Sequence, residues 1–296
     1  MDEVNIPKKG KLPSFDGTKI FYEATGSGGL TFIPCNGVGV STFFWKYIAD
    51  YFSKNNRVIL WDYRSHGKSD AAPDLHDLTM TNNARDLKAV MDYNKVDKAV
   101  LLGHSMGCQT IFEFYSLFPE RVAALIPMLG PYEKPMNTFL NTDKTKYVFP
   151  ILHFAAFAFP WVINPVVKKL VKSPISFPVA KMTGLINWQH CKYEELEPYL
   201  EHLSSLDMRA FFGMAKRMQE HSAKEILSRI KVPTLIIAGE DDIFTPWRIS
   251  EEMCNTIPDS ELLTIPHGSH AAIVEQPELI NLRIEKFLYE RVLCKK

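Results

Sequence analysis

The chain has no excess of charge of either sign. Its 296 residues include 34 Lys and Arg and 34 Asp and Glu, a formal net charge of zero. Proteins that bind nucleic acid or an acidic membrane surface electrostatically usually carry a basic surplus. The overall balance therefore predicts no nucleic-acid partner and gives no pull toward an acidic membrane. Short basic runs such as Lys168-Lys169 are interpreted as solvated surface.

Cysteine is also scarce, and its spacing excludes two classes of small-domain architecture. The five cysteines are widely separated and form no C-x-x-C pair, so the sequence predicts neither a disulfide framework nor a structural zinc site. This usage is typical of a reduced compartment. Residues 1–7 lack the basic start and apolar run of a secretory leader, and we expect a cytoplasmic protein. No metal and no cofactor is indicated.

Long uninterrupted hydrophobic runs are absent as well. The most apolar segment is Tyr147–Val171, but Pro150, Pro160, Pro165 and His153 interrupt it. A transmembrane helix needs about 20 consecutive apolar residues, so we predict no transmembrane segment. We interpret the segment as a pair of buried helices. The alternative is a lid that lines an acyl pocket or touches a lipid surface.

Strand-like and helix-like segments alternate in both outer parts of the chain, which is typical of an α/β fold with a mostly parallel sheet. The predicted strands are Lys19–Glu23, Leu30–Pro34, Arg57–Asp62, Ala99–Gly103, Arg121–Leu129, Pro233–Gly239 and Glu261–Ile265. The predicted helices are Thr42–Ser53, Thr79–Asn94 and Glu278–Leu293. Residues 1–130 and 231–296 should thus form one core domain.

Between the two core segments the β pattern disappears. Residues 131–230 are predicted to form an inserted helical cap over the carboxyl ends of the strands, where open α/β sheets place their sites. The insert is helical over Cys191–Glu220. Elsewhere seven prolines are expected to break it: Pro131, Pro135, Pro150, Pro160, Pro165, Pro174 and Pro178.

Gly103-His104-Ser105-Met106-Gly107 carries the strongest chemical signal. It lies between the apolar strand Ala99–Leu102 and a segment with helical spacing, Cys108–Tyr115. A sharp strand-to-helix turn around a central serine exposes its Oγ at the end of the strand, and small flanking residues allow the close backbone approach. We therefore predict that Ser105 is a nucleophile.

A serine hydroxyl needs a base to remove its proton, and the base needs an acid to orient it. His270 follows the last predicted strand in a short glycine-containing loop and is the favoured base, with His267 as the competitor. The acid is expected after the preceding strand. Asp242 is preferred there, with Asp241 and then Glu240 as alternatives.

Acyl transfer also needs donors for the oxyanion of the tetrahedral intermediate. The backbone N–H of Met106 starts the helix after the predicted nucleophile, next to the developing charge. The second donor is expected in the glycine-containing loop Asn36–Ser41, where the N–H of Val38 is the candidate.

These residues resemble the α/β-hydrolase fold family, in its capped esterase- and lipase-like branch. The resemblance rests on the Gly103–Gly107 turn, Asn36-Gly37, Trp61–Asp70, Gly239–Asp242 and Gly268–His270. It implies a sheet of the eight-stranded type with flanking helices. The stretch Trp61–Asp70 looks like the family's D-x-R-G-H-G-x-S segment, which makes His66 a structural residue.

Three positions refine this resemblance. Asn36 stands where many members have histidine, so the loop that carries Val38 must be braced differently. Ser65 replaces a glycine of the D-x-R-G-H-G-x-S segment. A serine at position 105 speaks against the dehalogenase and epoxide hydrolase branches, which have aspartate there.

The leading functional hypothesis is a cofactor-independent serine hydrolase that cleaves small carboxylic esters with apolar acyl or alcohol groups. Thioesterases, lactonases, carbon–carbon hydrolases and proline iminopeptidases use the same three residues. The last would need acids for a substrate amine, for which the predicted cap offers Glu194, Glu195 and Glu197. A slow-turnover ligand receptor is a different class of hypothesis. The sequence does not indicate the physiological ester or the oligomeric state.

Overall fold

The computed structural model describes residues 8–142, 144–182, 184–187, 189 and 191–294. Within these residues eight strands form one sheet in the order β1-β2-β4-β3-β5-β6-β7-β8. The strands are β1 Lys9–Pro13, β2 Lys19–Gly26, β3 Thr31–Cys35, β4 Arg57–Trp61, β5 Ala99–His104, β6 Val122–Met128, β7 Thr234–Gly239 and β8 Ser260–Ile265. Strand β2 is antiparallel to both neighbours, and β3 to β8 pair in parallel. The predicted α/β class and mostly parallel sheet are confirmed.

Helices cover both faces of this sheet. Those of the core are α1 Lys46–Phe52, α2 Met80–Tyr93, α3 Met106–Leu117, α10 Trp247–Thr256, α11 Ala272–Glu275 and α12 Pro277–Leu288. Short 3₁₀ turns at Thr42–Trp45 and Pro119–Arg121 and a π-turn at Tyr289–Leu293 adjoin them. Successive strand residues point to opposite faces, so two separate hydrophobic clusters form. Helices α2, α3 and α10 pack into one cluster, and α1 and α12 into the other.

Strand β1 is the element that sequence patterning missed. Its sequence, Lys-Gly-Lys-Leu-Pro, has only one large apolar side chain, that of Leu12, and this is buried. The strand exists because it pairs with β2 at the edge of the sheet, with Lys11 opposite Phe21. Edge strands tolerate Lys, Gly and Pro, so local sequence carries little signal for them.

The insert, residues 131–230, lies between β6 and β7 and contains no strand in its described part. Its helices are α4 Thr145–Ala158, α5 Pro160–Val171, α6 Ser176–Met182, α7 Tyr193–Ser205, α8 Met208–Glu220 and α9 Lys224–Leu227, preceded by 3₁₀ turns at Pro135–Asn137 and Phe139–Asn141. Both ends of the insert are tied together by a bridge between Glu133 and Ser222.

Two expectations about the insert are wrong. Pro150 and Pro165 lie inside α4 and α5 and do not break them. These helices pack along α8 and α7, and such tertiary contacts outweigh the hydrogen bond that an internal proline removes. The pair is also not buried, since only Ala156 of α4 and no residue of α5 is inaccessible to solvent.

Membrane-spanning potential is confined to this same pair. In the described ranges no single helix is long and apolar enough to cross a bilayer. Helices α4 and α5 reach the required length and hydropathy only together, and they are bent by 113° at their junction. Residues 1–7, on which the expectation of no leader rests, lie outside the described residues.

The loop after β4 braces the loop after β3. The Asp62 carboxylate accepts hydrogen bonds from the Ser41 hydroxyl (2.6 Å), the Thr42 amide (3.1 Å) and the Lys68 amide (2.9 Å). Arg64 is almost fully buried and donates two 2.7 Å bonds to the buried Asp86. Charged groups at such depth persist only when paired. The two loops are thereby held together at the carboxyl ends of the strands.

Candidate active site

Ser105 sits in the sharp turn between β5 and α3. Its backbone has φ 54° and ψ −121°, a strained conformation for a residue with a side chain. Glycine is required on both sides, because a Cβ at Gly107 would collide with the carbonyl oxygen of Cys35 and one at Gly103 with that of Gly107. The turn therefore holds the Ser105 hydroxyl beyond the end of the strand, as the sequence pattern indicated.

His270 reaches Ser105 from the other end of the chain. It follows β8 in the loop before α11, and its Nε2 lies 3.0 Å from Ser105 Oγ. The competing His267 has a side chain that is 74% exposed, and its Nδ1 lies 3.5 Å from the exposed Asp241. The structure thus brings His270, and not His267, to the predicted nucleophile.

Asp242 completes the constellation. Its Oδ2 lies 2.9 Å from His270 Nδ1 and also accepts from the Thr245 hydroxyl (2.7 Å), while Oδ1 accepts from the amides of Phe244 and Thr245. Burial alone would raise the pKa of Asp242, but the His270 charge and these hydrogen bonds hold that pKa below its ordinary value. An ionised carboxylate therefore faces Nδ1. The alternatives Asp241 and Glu240 lie at the surface.

The two candidate oxyanion amides lie on either side of this site. Among the described residues neither the N–H of Val38 nor that of Met106 has a hydrogen-bond acceptor. Met106 directly follows Ser105 at the start of α3, where amides have no partner within the helix. Val38 lines the cavity next to Ser105. At Gly37 a Cβ would lie only 3.1 Å from Ser105 Cβ, so this glycine lets the loop approach.

Asn36 braces that loop from below. Its amide nitrogen donates to the carbonyl oxygen of Trp61 at 2.9 Å, and its oxygen accepts from the indole of Trp45 at 2.7 Å. The two partners of Asn36 lie in β4 and in the 3₁₀ turn Thr42–Trp45, 25 and 9 positions further along the chain. The replacement of the expected histidine was visible in the sequence, but these partners were not.

His104 is a further residue of the site that sequence reasoning missed. Its Nε2 lies 3.0 Å from the carbonyl oxygen of His270, so Nε2 carries the proton and donates it. Burial and the neighbouring His270 lower the pKa of His104 to about 3, which keeps the ring neutral. This bond holds the backbone of His270 against the strand that bears Ser105. Position 104 gave no sequence signal of this role.

A cavity of about 390 Å³ opens onto Ser105 and His270. Its walls come from the core loops and from α4, α7 and α8 of the insert, and most of its lining side chains are aliphatic or aromatic. Among the described residues no lysine or arginine lines it, and Glu195 is the one acidic residue of the lining. Glu195 is paired with Lys46 (2.6 Å) and with the Tyr47 hydroxyl (2.7 Å). No three His, Cys, Asp or Glu side chains of the described residues are placed to hold a metal ion.

Two buried histidines near the site make stability depend on pH. Burial and the nearby His202 lower the pKa of His66 to about 4, and His104 is lowered further. The unfolded chain binds protons at these residues near pH 6.5 and the native protein does not, so the free energy of unfolding falls as the pH falls below that value. Between about pH 6 and pH 5 the free energy of unfolding should fall by about 1 kcal/mol less in His66→Gln than in the wild-type protein. Urea unfolding of both proteins at these two pH values measures it, and equal losses would contradict the assignment.

Comparison with known proteins identifies the family of the chain. The sequence pattern of the alpha/beta hydrolase fold family matches residues 31–170 and 176–277. A 2-hydroxy-6-oxononadienedioate/2-hydroxy-6-oxononatrienedioate hydrolase of Burkholderia vietnamiensis is 26% identical over 283 residues, 92% of each protein. A thermophilic esterase from Thermogutta terrifontis superposes with a TM-score of 0.76 at 23% identity, covering 97% of this chain and 100% of that one. An esterase from Exiguobacterium antarcticum gives a TM-score of 0.77 at 21% identity, covering 94% and 98%. The chain belongs to the alpha/beta hydrolase fold family.

Proposed function

We propose that the protein is a serine hydrolase that cleaves carboxylic esters with apolar acyl or alcohol groups through an acyl-enzyme. The observation that carries this proposal is the continuous chain of contacts from Ser105 Oγ through His270 to Asp242, at the base of an apolar cavity. The same three groups can serve several acyl-transfer reactions. The cavity is therefore the main guide to the substrate.

In the first half-reaction Ser105 Oγ attacks the ester carbonyl carbon and His270 Nε2 takes its proton. Asp242 keeps the other proton on Nδ1 and stabilises the imidazolium that forms. The amides of Val38 and Met106 donate to the oxyanion, each such donor contributing about 3 kcal/mol in related chemistry. The carbon–oxygen bond to the alcohol then breaks, and His270 gives its proton to the leaving oxygen.

In the second half-reaction water replaces the alcohol. His270 removes a proton from the water as its oxygen attacks the acyl carbonyl of Ser105. Collapse of the second tetrahedral intermediate releases the acid and returns the proton to Ser105. Apart from the substrate and this water, every reacting group belongs to the chain itself.

The charge of the cavity lining argues for a neutral substrate. The relative from Burkholderia vietnamiensis is named for a dienedioate, a molecule with two carboxylates. A buried carboxylate needs a cationic partner, and the described part of the cavity lining holds no lysine or arginine. Its aromatic walls, which include Phe149, Phe211 and Phe212, favour an apolar acyl chain. This contrast favours ester hydrolysis over the cleavage of carbon–carbon bonds in diacids.

We also propose that the insert, residues 131–230, is a cap on a core formed by residues 1–130 and 231–296. Helices α4, α7 and α8 supply one side of the cavity, while the core supplies Ser105, Asp242 and His270. Residues 1–7 and 295–296 of those core ranges lie outside the described part.

The acyl preference should follow the cavity. With p-nitrophenyl esters we expect kcat/KM for octanoate to exceed that for acetate at least about tenfold, because each buried methylene contributes about 0.8 kcal/mol. Ala215 lines the cavity from α8, and Ala215→Leu should cut the octanoate advantage by about tenfold. Ala158→Leu, in α4 outside the lining, is the matched control. A sharp preference for acetate would contradict the proposed substrate class.

A further inference from the structure

The first three helices of the insert and the turns between them carry most of the exposed large hydrophobic side chains of the described residues. Of all the large hydrophobic side chains that are exposed in the described residues, more than half lie within residues 147–182. Phe154 is 65% and Trp161 70% exposed, and Tyr147, Ile151 and Leu170 are also more than half exposed. We call residues 147–182 the apolar face. Exposed apolar side chains at this density indicate a binding surface, because water solvates them poorly.

Every charged residue within the apolar face is a lysine. From residue 144 to residue 193 the sequence contains no Asp or Glu, yet it has seven lysines. Lys168, Lys169 and Lys172 are exposed at the end of α5 and the turn that follows, and none of them forms an ion pair within the described ranges. The zero net charge of the whole chain therefore conceals a cationic segment, which includes the exposed Lys168-Lys169.

Helix α4 contributes to both the apolar face and the cavity. Its Val148 and Leu152 line the cavity beside Ser105, while its Phe154 is exposed and does not line it. A ligand on this face would therefore lie against a helix that forms part of the cavity wall. Neither helix is long enough to span a bilayer alone, and their 113° bend suits a pair that lies along a surface.

We propose that the apolar face docks on the surface of a bilayer that contains anionic phospholipid. Trp161, Tyr147 and Phe154 would enter the interfacial layer, where aromatic side chains are favoured. The lysines would face the lipid phosphates, since each lysine near an anionic surface strengthens binding about fivefold. A second copy of this chain suits the surface less well, because the face has no acid to pair with the lysines of its partner.

Binding is measured by cosedimentation of the 296-residue Ser105→Ala protein with lipid vesicles, which separates docking from any hydrolysis. The vesicles contain phosphatidylcholine alone or with about one third phosphatidylserine. We expect cosedimentation with the mixed vesicles and at least about tenfold weaker binding to the neutral ones. Equal binding to both compositions, or none to either, would overturn the proposal.

Two sets of variants test the residues. Replacing Lys168, Lys169 and Lys172 together with glutamine should weaken binding about 100-fold. The control replaces Lys54, Lys98 and Lys231 with glutamine and should leave binding unchanged. These lysines precede β4, β5 and β7, at the amino ends of the strands and thus at the end of the sheet opposite to Ser105. A loss of binding in the control as large as in the first set would refute a specific face.

The apolar contribution is tested separately. Phe154→Ser with Trp161→Ser should weaken vesicle binding at least about tenfold, whereas Leu282→Ser with Leu293→Ser should not. Leu282 and Leu293 are also exposed, at 57% and 60%, but lie near the carboxyl terminus. Light scattering of the protein without vesicles tests whether a second copy of this chain binds the apolar face instead. Dimers that disappear in the Phe154 and Trp161 variant would assign the face to a second copy and reject the lipid.

Discussion

Replacing Ser105 with alanine is expected to lower kcat on an octanoate ester by about 10⁶-fold, because no acyl-enzyme can form without Oγ. The amides of Val38 and Met106 and the cavity remain, so residual activity above the water reaction should persist. Alanine meets the same backbone strain as serine at φ 54°. The loss should therefore appear in kcat and not in folding, which circular dichroism and steady-state kinetics check together.

Covalent labelling with a fluorophosphonate probe gives an independent measure of the same change. The wild-type protein and Ser205→Ala, an exposed serine of α7, should label fully, and Ser105→Ala should not label. Labelling that survives in Ser105→Ala would contradict the assignment of the nucleophile. A wild-type protein that labels but turns over no ester of the panel would favour the slow-turnover receptor.

Asp242→Asn is expected to lower kcat by about 10⁴-fold with little change in KM. An asparagine at this position presents an amide to His270 Nδ1 and favours the tautomer in which Nε2 carries the proton. His270 could then no longer accept the proton of Ser105. The cavity does not change, so substrate binding should be retained.

Asp241→Asn is the matched control, because the two residues are adjacent and differ in surroundings. The Asp242 side chain is fully buried against His270, whereas that of Asp241 is 59% exposed beside His267. We expect the activity of Asp241→Asn to stay within about twofold of wild type, as for a surface charge. The reverse pattern, with activity lost at 241 and kept at 242, would transfer the orienting role to Asp241.

The parts that sequence predicted are those with a strong local pattern. The strand-turn-helix around Ser105, the acidic loop after β7 and the histidine after β8 all lie where parallel strands end, so their convergence follows from the alternation alone. The sequence pattern ranked His270 and Asp242 first but could not exclude the alternatives His267, Asp241 and Glu240. Which of them is exposed depends on how the loops after β7 and β8 pack together. Nearby residues of the same type look alike in the sequence, so the pattern does not show this packing.

The parts that sequence did not predict depend on distant partners. Strand β1 exists through its pairing with β2, and the bond from His104 to the carbonyl of His270 joins residues 166 positions apart. The helices α4 and α5 were predicted as buried because their sequence is apolar. Burial depends on what covers a surface, and the described chain leaves much of this one uncovered.

The contact between Ser105 and His270 links residues 165 positions apart, and β8, the last strand, precedes the histidine. A ribosome therefore completes the turn around Ser105 long before it has synthesised His270. Amino-terminal segments can begin to fold during synthesis, and under the proposed mechanism we expect the Ser105 hydroxyl to stay unreactive on the nascent polypeptide until β8 has paired with β7. Recovery of ester hydrolysis after dilution from denaturant would consequently report completion of the whole sheet. Incompletely synthesised chains would hydrolyse no ester in the cell.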